Sequence, residues 1–204
     1  MLTPTTLRLA RIAWPVTALG PGQRVVLWVA GCPLRCKACI SPELQDPAAG
    51  RDIPLRRLAD RLLALPIPLD GLTLTGGEPF EQAPALAALW RILVRKRTAW
   101  NLLAFSGHPL EQLRQRPEAE ALLQHLDLLI DGPYLPDCPV DQPLIASQNQ
   151  RAHALSTIGR GMLDQLGSDT TRANLGLSQQ GDGCLIGILD PQQRQRLHRG
   201  LGVE

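Results

Sequence analysis

The chain has no surplus of charge: 21 Lys and Arg stand against 19 Asp and Glu, a formal +2. That is too even for a dedicated nucleic-acid surface, which needs a basic excess or patch. The one dense basic run, Arg95 to Arg97 with Arg91 upstream, falls where a helix should end, and cations there complement the helix dipole. No long apolar run exists either. The longest, Val25 to Leu34, is far below the roughly 18 residues of a spanning helix, so no membrane partner is expected. Residues 1–24 lack a charged start, an apolar run and a small-residue cleavage site, which points to a cytoplasmic chain. Glycine and proline, 18 each, fall short of a low-complexity composition. No internal repeat or linker marks a domain boundary. What is present is a chain of 204 residues, 44% hydrophobic, enough for one globular unit with its own core.

Strand and helix patterns alternate along the first two thirds. Val25 to Ala30 is a short apolar run rich in β-branched residues, as in a strand buried on both faces. Leu55, Leu58, Leu62 and Leu63 then share one helical face, with Pro54 before them and Pro66 beyond. Gly71 to Thr75 is a second strand, and Leu86, Leu89, Trp90 and Leu93 form a second helical stripe. Asn101 to Phe105 is a third strand, followed by helix candidates at Leu110 to Arg114 and over Ala119, Leu122, Leu123 and Leu126. Asp127 to Ile130 is a fourth strand.

This order predicts right-handed βαβ units on a mostly parallel sheet. The fold class is α/β, an open sheet or partial barrel of about five to six strands, because a full eight-unit barrel needs roughly 250 residues. Residues 134–150 read as loop. A short helix is expected near Gly161 to Leu166, and a hairpin from Ala173 to Ser178 with Cys184 to Leu189.

In such sheets ligands bind beyond the carboxyl ends of the strands. Four conspicuous segments occupy those ends: the cysteines after the first strand, Gly76-Gly77-Glu78 after the second, Ser106-Gly107 after the third and Asp131-Gly132 after the fourth. Cys32, Cys36 and Cys39 have the spacing C-x3-C-x2-C. In a reducing compartment an uneven cluster of thiols reads as metal ligation rather than disulfide chemistry. Structural zinc normally uses paired ligand motifs, and Cys138, Cys184 and His108 do not supply a second pair. Soft thiolates favour an iron-sulfur cluster, with zinc and inert thiols as the alternatives. A four-iron cubane is usually closed by four cysteines; with three, one iron keeps an open position. Cys138 and Cys184 are isolated and read as structural. His108, His125, His153 and His198 have no ligand spacing.

Taken together, Gly20-Pro21-Gly22, Gly31-Cys32 to Cys39, Thr75-Gly76-Gly77-Glu78-Pro79, Ser106-Gly107, Leu129 to Gly132 and Ser147 to Arg151 resemble the radical S-adenosylmethionine superfamily. Within it the likeness is to the activating enzymes of anaerobic ribonucleotide reductase and related glycyl-radical enzymes. It covers roughly Ala18 to Leu155. The resemblance implies a radical S-adenosylmethionine domain over residues 1–158 and a C-terminal extension over 159–204 in the same globular unit. It implies a [4Fe-4S] cluster on Cys32, Cys36 and Cys39 and S-adenosylmethionine as cosubstrate, its methionine part held by Gly76, Gly77 and Glu78. Ser106 and Asn149 are the candidate ribose or carboxylate contacts. The implied activity is reductive cleavage of S-adenosylmethionine to a 5'-deoxyadenosyl radical that installs a glycyl radical on a partner, such as anaerobic ribonucleotide reductase. An electron donor such as flavodoxin would serve it. Two other readings use the same cysteines: a radical enzyme acting on a small molecule, of the 7-carboxy-7-deazaguanine synthase type, and a non-catalytic iron-sulfur or zinc protein. One departure is Ala38, where many members of the superfamily carry an aromatic residue.

Overall fold

A computed structural model describes residues 4–166, 173–177 and 183–189. Its frame is one seven-stranded sheet. The chain enters on β1 (Thr6–Val16) and β2 (Arg24–Val29), then adds β3 (Arg51–Pro54), helix α1 (Leu55–Leu63), β4 (Gly71–Gly76), helix α2 (Ala83–Val94) and β5 (Asn101–Phe105). Two short helices, α3 (Leu110–Leu113) and α4 (Pro117–Leu123), lead to β6 (Leu128–Asp131). A small hairpin, β7 (Pro139–Gln142) and β8 (Ile145–Ser147), precedes β9 (Arg151–Ala154), α5 (Thr157–Asp164) and a second hairpin, β10 (Ala173–Leu177) with β11 (Gly183–Gly187).

The sheet order is β3-β1-β2-β4-β5-β6-β9. β2, β4, β5 and β6 run parallel, while β1, β3 and β9 pair antiparallel at the two edges. The four parallel strands and the helices between them are those expected from hydrophobic spacing, and the sheet is open. The antiparallel edges make it wider than the five or six strands expected. β1 escapes the pattern because Arg8, Arg11 and Trp14 alternate irregularly with Leu7 and Leu9, and the ladder to β2 is interrupted by two register shifts. Residues 134–150, expected as loop, contain the β7–β8 hairpin. Helix α5 starts earlier than expected, because the Ser156 hydroxyl accepts the Gly159 amide and caps it. The expected C-terminal hairpin is present as β10 and β11; Gly181 and Asp182 of its turn lie outside the described residues.

Helices α1, α2 and α4 all cover one face of the sheet. Leu58 and Leu62 of α1 and Leu86, Leu89 and Leu93 of α2 bury there against Val25, Leu27, Leu72, Leu74 and Leu102. Parallel strands need cover on both faces. The other face is covered near β5 and β6 by Met162 of α5 and Leu144 of the β7–β8 turn, and near β2 by Ile186 and Ile188 of the last hairpin. Asn174 fixes that hairpin: its carboxamide oxygen accepts the Thr17 and Ala18 amides and its nitrogen donates to the Thr17 hydroxyl. The basic run behaves as read. Arg95 caps α2, and Arg97 donates to the Leu63 carbonyl at the end of α1 while its guanidinium lies over Trp100.

At the amino ends of the parallel strands, Arg24 is fully buried. Its guanidinium donates to the Thr73 hydroxyl, the Pro21 and Leu72 carbonyls and the Asn101 side chain. Burial pulls it down to about 10, with Asp70 and Asp127 acting in the opposite direction. It therefore remains a cation at neutral pH. Gly20-Pro21-Gly22 belongs to this end. A β-carbon on Gly20 would stand 2.8 Å from Arg24 Cδ, and one on Gly22 2.5 Å from Asp70 Oδ2, and both glycines have positive φ. The lead-in motif thus serves the fold at the end of the sheet remote from the cysteines.

Candidate metal and cofactor site

The parallel register of β2, β4, β5 and β6 places all four conspicuous segments at one end of the sheet. The cysteine loop leaves β2 through Ala30 and Gly31. The Gly31 and Cys32 amides donate to the Leu44 and Gln45 carbonyls, so a short 3-10 turn, Pro42–Gln45, backs the loop. The loop then turns sharply. Arg35 and Ala38 both adopt left-handed backbone, at φ 46 and 56, at a cost of roughly 1–2 kcal/mol for each non-glycine residue. Such strain concentrates at functional sites. The three cysteines are half-buried, whereas Pro33, Arg35, Lys37 and Ala38 are exposed. Burial pushes the Cys32 thiol above its ordinary value; the Leu34 and Arg35 amides favour its thiolate, and the nearby charge of Glu78 opposes it. A bound cation would reverse that balance, because metal binding and thiol deprotonation are coupled.

The Gly76-Gly77-Glu78 turn is stitched to the root of this loop. The Gly77 amide donates to the Val29 carbonyl at 2.7 Å and the Glu78 amide to Gly31 at 2.9 Å. A β-carbon on Gly76 would lie 2.5 Å from Val29 O, and one on Gly77 2.3 Å from Gly31 O. The glycines are therefore required by backbone packed on backbone. Glu78 is turned inward and is 1% exposed. Its Oε1 accepts the Phe80 amide and the Ser106 hydroxyl, both at 3.0 Å, and its Oε2 accepts the Gly107 amide at 2.8 Å. Burial raises its pKa above the ordinary carboxylate range, and the bonds from Phe80, Gly107 and Ser106 and the nearness of His108 counter it. The carboxylate brackets the ends of β4 and β5.

Ser106 comes to the site with its hydroxyl committed: it donates to Glu78 and accepts the His108 amide. Asn149 lies against Gly132 at the end of β6. Its nitrogen donates to the Pro133 carbonyl at 2.6 Å, and its buried Oδ1 has no partner. Asp131 is buried and committed to α3, which it caps by accepting the Leu110 amide; His153 Nε2 is 3.0 Å from it but not aligned for a hydrogen bond. A cavity of about 540 Å³ opens beside Cys32 on the β1–β3 side, with Arg8, Arg35, Glu81 and Gln82 on its walls. Neither Ser106 nor Asn149 reaches it.

Several residues of this end carry no motif. Gln82 mimics a strand: its carboxamide accepts the Arg8 amide and donates to the Arg8 carbonyl, tying the turn after β4 to β1. Glu81 accepts from both terminal nitrogens of Arg116, with His108 beside them. A lone Gln or Glu in a polar turn gives no sequence signal for such a partner.

Among the described residues no three His, Cys, Asp or Glu side chains converge on a single-ion site. Tetrahedral zinc takes four such donors round one ion. A cubane asks for something different, one thiolate for each of three irons. The strained C-x3-C-x2-C loop fits such a cluster, and the unpartnered Asn149 oxygen leaves an acceptor free near the end of β6.

Comparison with known proteins agrees on the iron-sulfur cluster. A family model described as a 4Fe-4S single cluster domain matches residues 18–153. The anaerobic ribonucleoside-triphosphate reductase-activating protein of Enterobacteria phage T4 is 30% identical over 140 residues, 65% of this chain and 84% of the relative. The protein of that name from Vibrio cholerae serotype O1 is 29% identical over 123 residues, 57% of this chain and 77% of the relative. The pyruvate formate-lyase-activating enzyme of Staphylococcus aureus strain USA300 is 29% identical over 121 residues, 56% of this chain and 47% of that protein.

Proposed function

Because the chain belongs to the 4Fe-4S single cluster domain family, among the radical S-adenosylmethionine activases, we propose that it installs a glycyl radical on a partner enzyme, in the manner of an anaerobic ribonucleoside-triphosphate reductase-activating protein. The observation that carries this reading is the convergence of the cysteine loop, the Gly-Gly-Glu turn, Ser106-Gly107 and Asn149 at one sheet end. Cys32, Cys36 and Cys39 would hold three irons of a [4Fe-4S] cluster, leaving the fourth to a cosubstrate. The chemistry such a cluster supplies when bound and reduced is one-electron cleavage of S-adenosylmethionine to methionine and a 5'-deoxyadenosyl radical, which takes a hydrogen atom from a glycine.

The protein's own part is positioning. The Gly76-Gly77 backbone, half-exposed and pinned to β2, would receive the methionine ammonium. The Glu78 carboxylate is committed inward and contributes by holding that turn and Ser106 in place. The unpartnered Oδ1 of Asn149 is the acceptor offered to a ribose hydroxyl. Exposed Arg35 and Lys37 on the cysteine loop present cations to an acidic one-electron donor such as flavodoxin. None of the helices among the described residues is long and apolar enough to cross a membrane.

The test is anaerobic reconstitution with iron and sulfide, reduction, and addition of S-adenosylmethionine with and without a purified anaerobic ribonucleotide reductase. The expected result is 5'-deoxyadenosine and methionine in equal amounts and a glycyl-radical doublet on the reductase. Stoichiometric consumption of a small metabolite, with no protein radical, would replace the activase reading.

A further inference from the structure

The end of β5 carries a contact that the cofactor chemistry does not itself require. A β-carbon on Gly107 would lie 2.3 Å from Leu34 Cδ1, so the leucine between the first two cysteines occupies the space that any other residue at 107 would fill. Gly107 does not have positive φ. Its backbone suits any residue, and the glycine serves the space alone. The seat is also held firmly: the Gly107 amide is bonded to Glu78 Oε2 at 2.8 Å, and Glu78 is locked by Phe80 and Ser106.

The opposite partner is poorly held by anything else. Among the described residues, backbone hydrogen bonds to the rest of the fold anchor the loop at Gly31 and Cys32, and residues 33–40 add none to another segment. Pro33, Arg35, Lys37 and Ala38 are exposed, whereas Leu34 is half-buried and its amide faces the Cys32 thiol. We infer that Gly107 is a positioning residue that acts through Leu34: the absent β-carbon at the end of β5 is the seat that fixes the middle of the cysteine loop, and with it the Leu34 amide beside Cys32, in the pose that receives the cluster. This rests on the cluster reading above and extends it to a residue outside the cysteine and Gly-Gly-Glu motifs. It also accounts for the order Ser-Gly, in which the serine locks Glu78 and the glycine admits the leucine.

The experiment compares the full chain with Gly107→Val, Leu34→Ala and the double variant, each reconstituted anaerobically with iron and sulfide. Iron loss to a chelator is timed, and amide exchange of residues 33–39 is measured on the metal-free chains. Gly107→Val should lose iron about tenfold faster, the scale of outer-shell changes at metal sites, and raise exchange in 33–39 while the core amides of β4 and β5 stay protected. In the Leu34→Ala background the same substitution should cost nothing further. Equal costs in both backgrounds, or a Gly107→Val chain that holds iron and loop amides like the parent, would overturn the assignment. Gly107→Ala supplies a milder clash if the valine variant does not fold. The exchange readout needs no cluster, so a chain that binds no iron defeats the functional reading while the loop contact is still decided.

Discussion

Replacing Glu78 by glutamine isolates the bracket between β4 and β5. The carboxylate accepts three bonds at 2.8–3.0 Å while almost fully buried. Glutamine keeps the oxygen that serves Phe80 and Ser106 but turns an NH2 toward the Gly107 amide, so two donors face each other. A buried donor left without an acceptor costs about 1–3 kcal/mol. Burial already holds the Glu78 carboxyl above its ordinary value, so removing the charge returns part of that cost, and the lower half of the range is expected. At about 2–4 °C per kcal/mol for a chain of this size, Tm should fall by roughly 2–8 °C. Thermal unfolding of the metal-free chain under anaerobic conditions measures it without interference from the cluster. A melting temperature unchanged to within a degree, with S-adenosylmethionine binding lost, would refute the reasoning. It would mean that Glu78 touches the ligand and does not hold the turn.

Arg24→Met leaves the Thr73 hydroxyl, the Leu72 carbonyl and the Asn101 side chain without their donor and should cost about 3–5 kcal/mol in urea unfolding, with Arg24→Lys a poor rescue because it offers three donors in place of a fork. Asn174→Ala removes the acceptor of the Thr17 and Ala18 amides; hydrogen exchange at those two residues should rise by about tenfold while core amides are unchanged. His125 is held below its ordinary 6.5 by burial and then by Arg91. The unfolded chain takes that proton more readily than the folded one, so this contribution is complete above the ordinary value and lost as pH falls below it. His125→Leu should flatten the urea midpoint between about pH 8 and about pH 5.

The central strands and the helices between them could be read from spacing because each obeys one simple periodicity: Leu55, Leu58 and Leu62 every three to four residues, Val25 to Val29 continuously apolar. The edges could not. β1 mixes exposed Arg8, Arg11 and Trp14 into its pattern, and β9 reads Arg-Ala-His-Ala with no apolar stripe, since an edge strand is buried on part of its surface only. In the site, the cysteines and the glycine turn announce themselves by unusual residue types at fixed intervals. The side-chain commitments do not. That Glu78 and Ser106 bond each other across 28 positions, or that Leu34 fills the place of a side chain at residue 107, depends on which strand ends adjoin. Only the folded register supplies that. The same register explains why Gly20-Pro21-Gly22, which travels with the site motifs in sequence, sits with Arg24 at the opposite end of the sheet.

The proposed radical chemistry requires that one iron be left for a cosubstrate. Electron paramagnetic resonance of the reduced, reconstituted chain, recorded before and after S-adenosylmethionine is added, decides it. The expected result is a [4Fe-4S] signal whose g-values shift on addition, which persists in Cys138→Ser, Cys184→Ser and His108→Ala and is lost when Cys32, Cys36 or Cys39 is replaced. A signal indifferent to S-adenosylmethionine, or one that disappears with a fourth side chain of this protein, would contradict it.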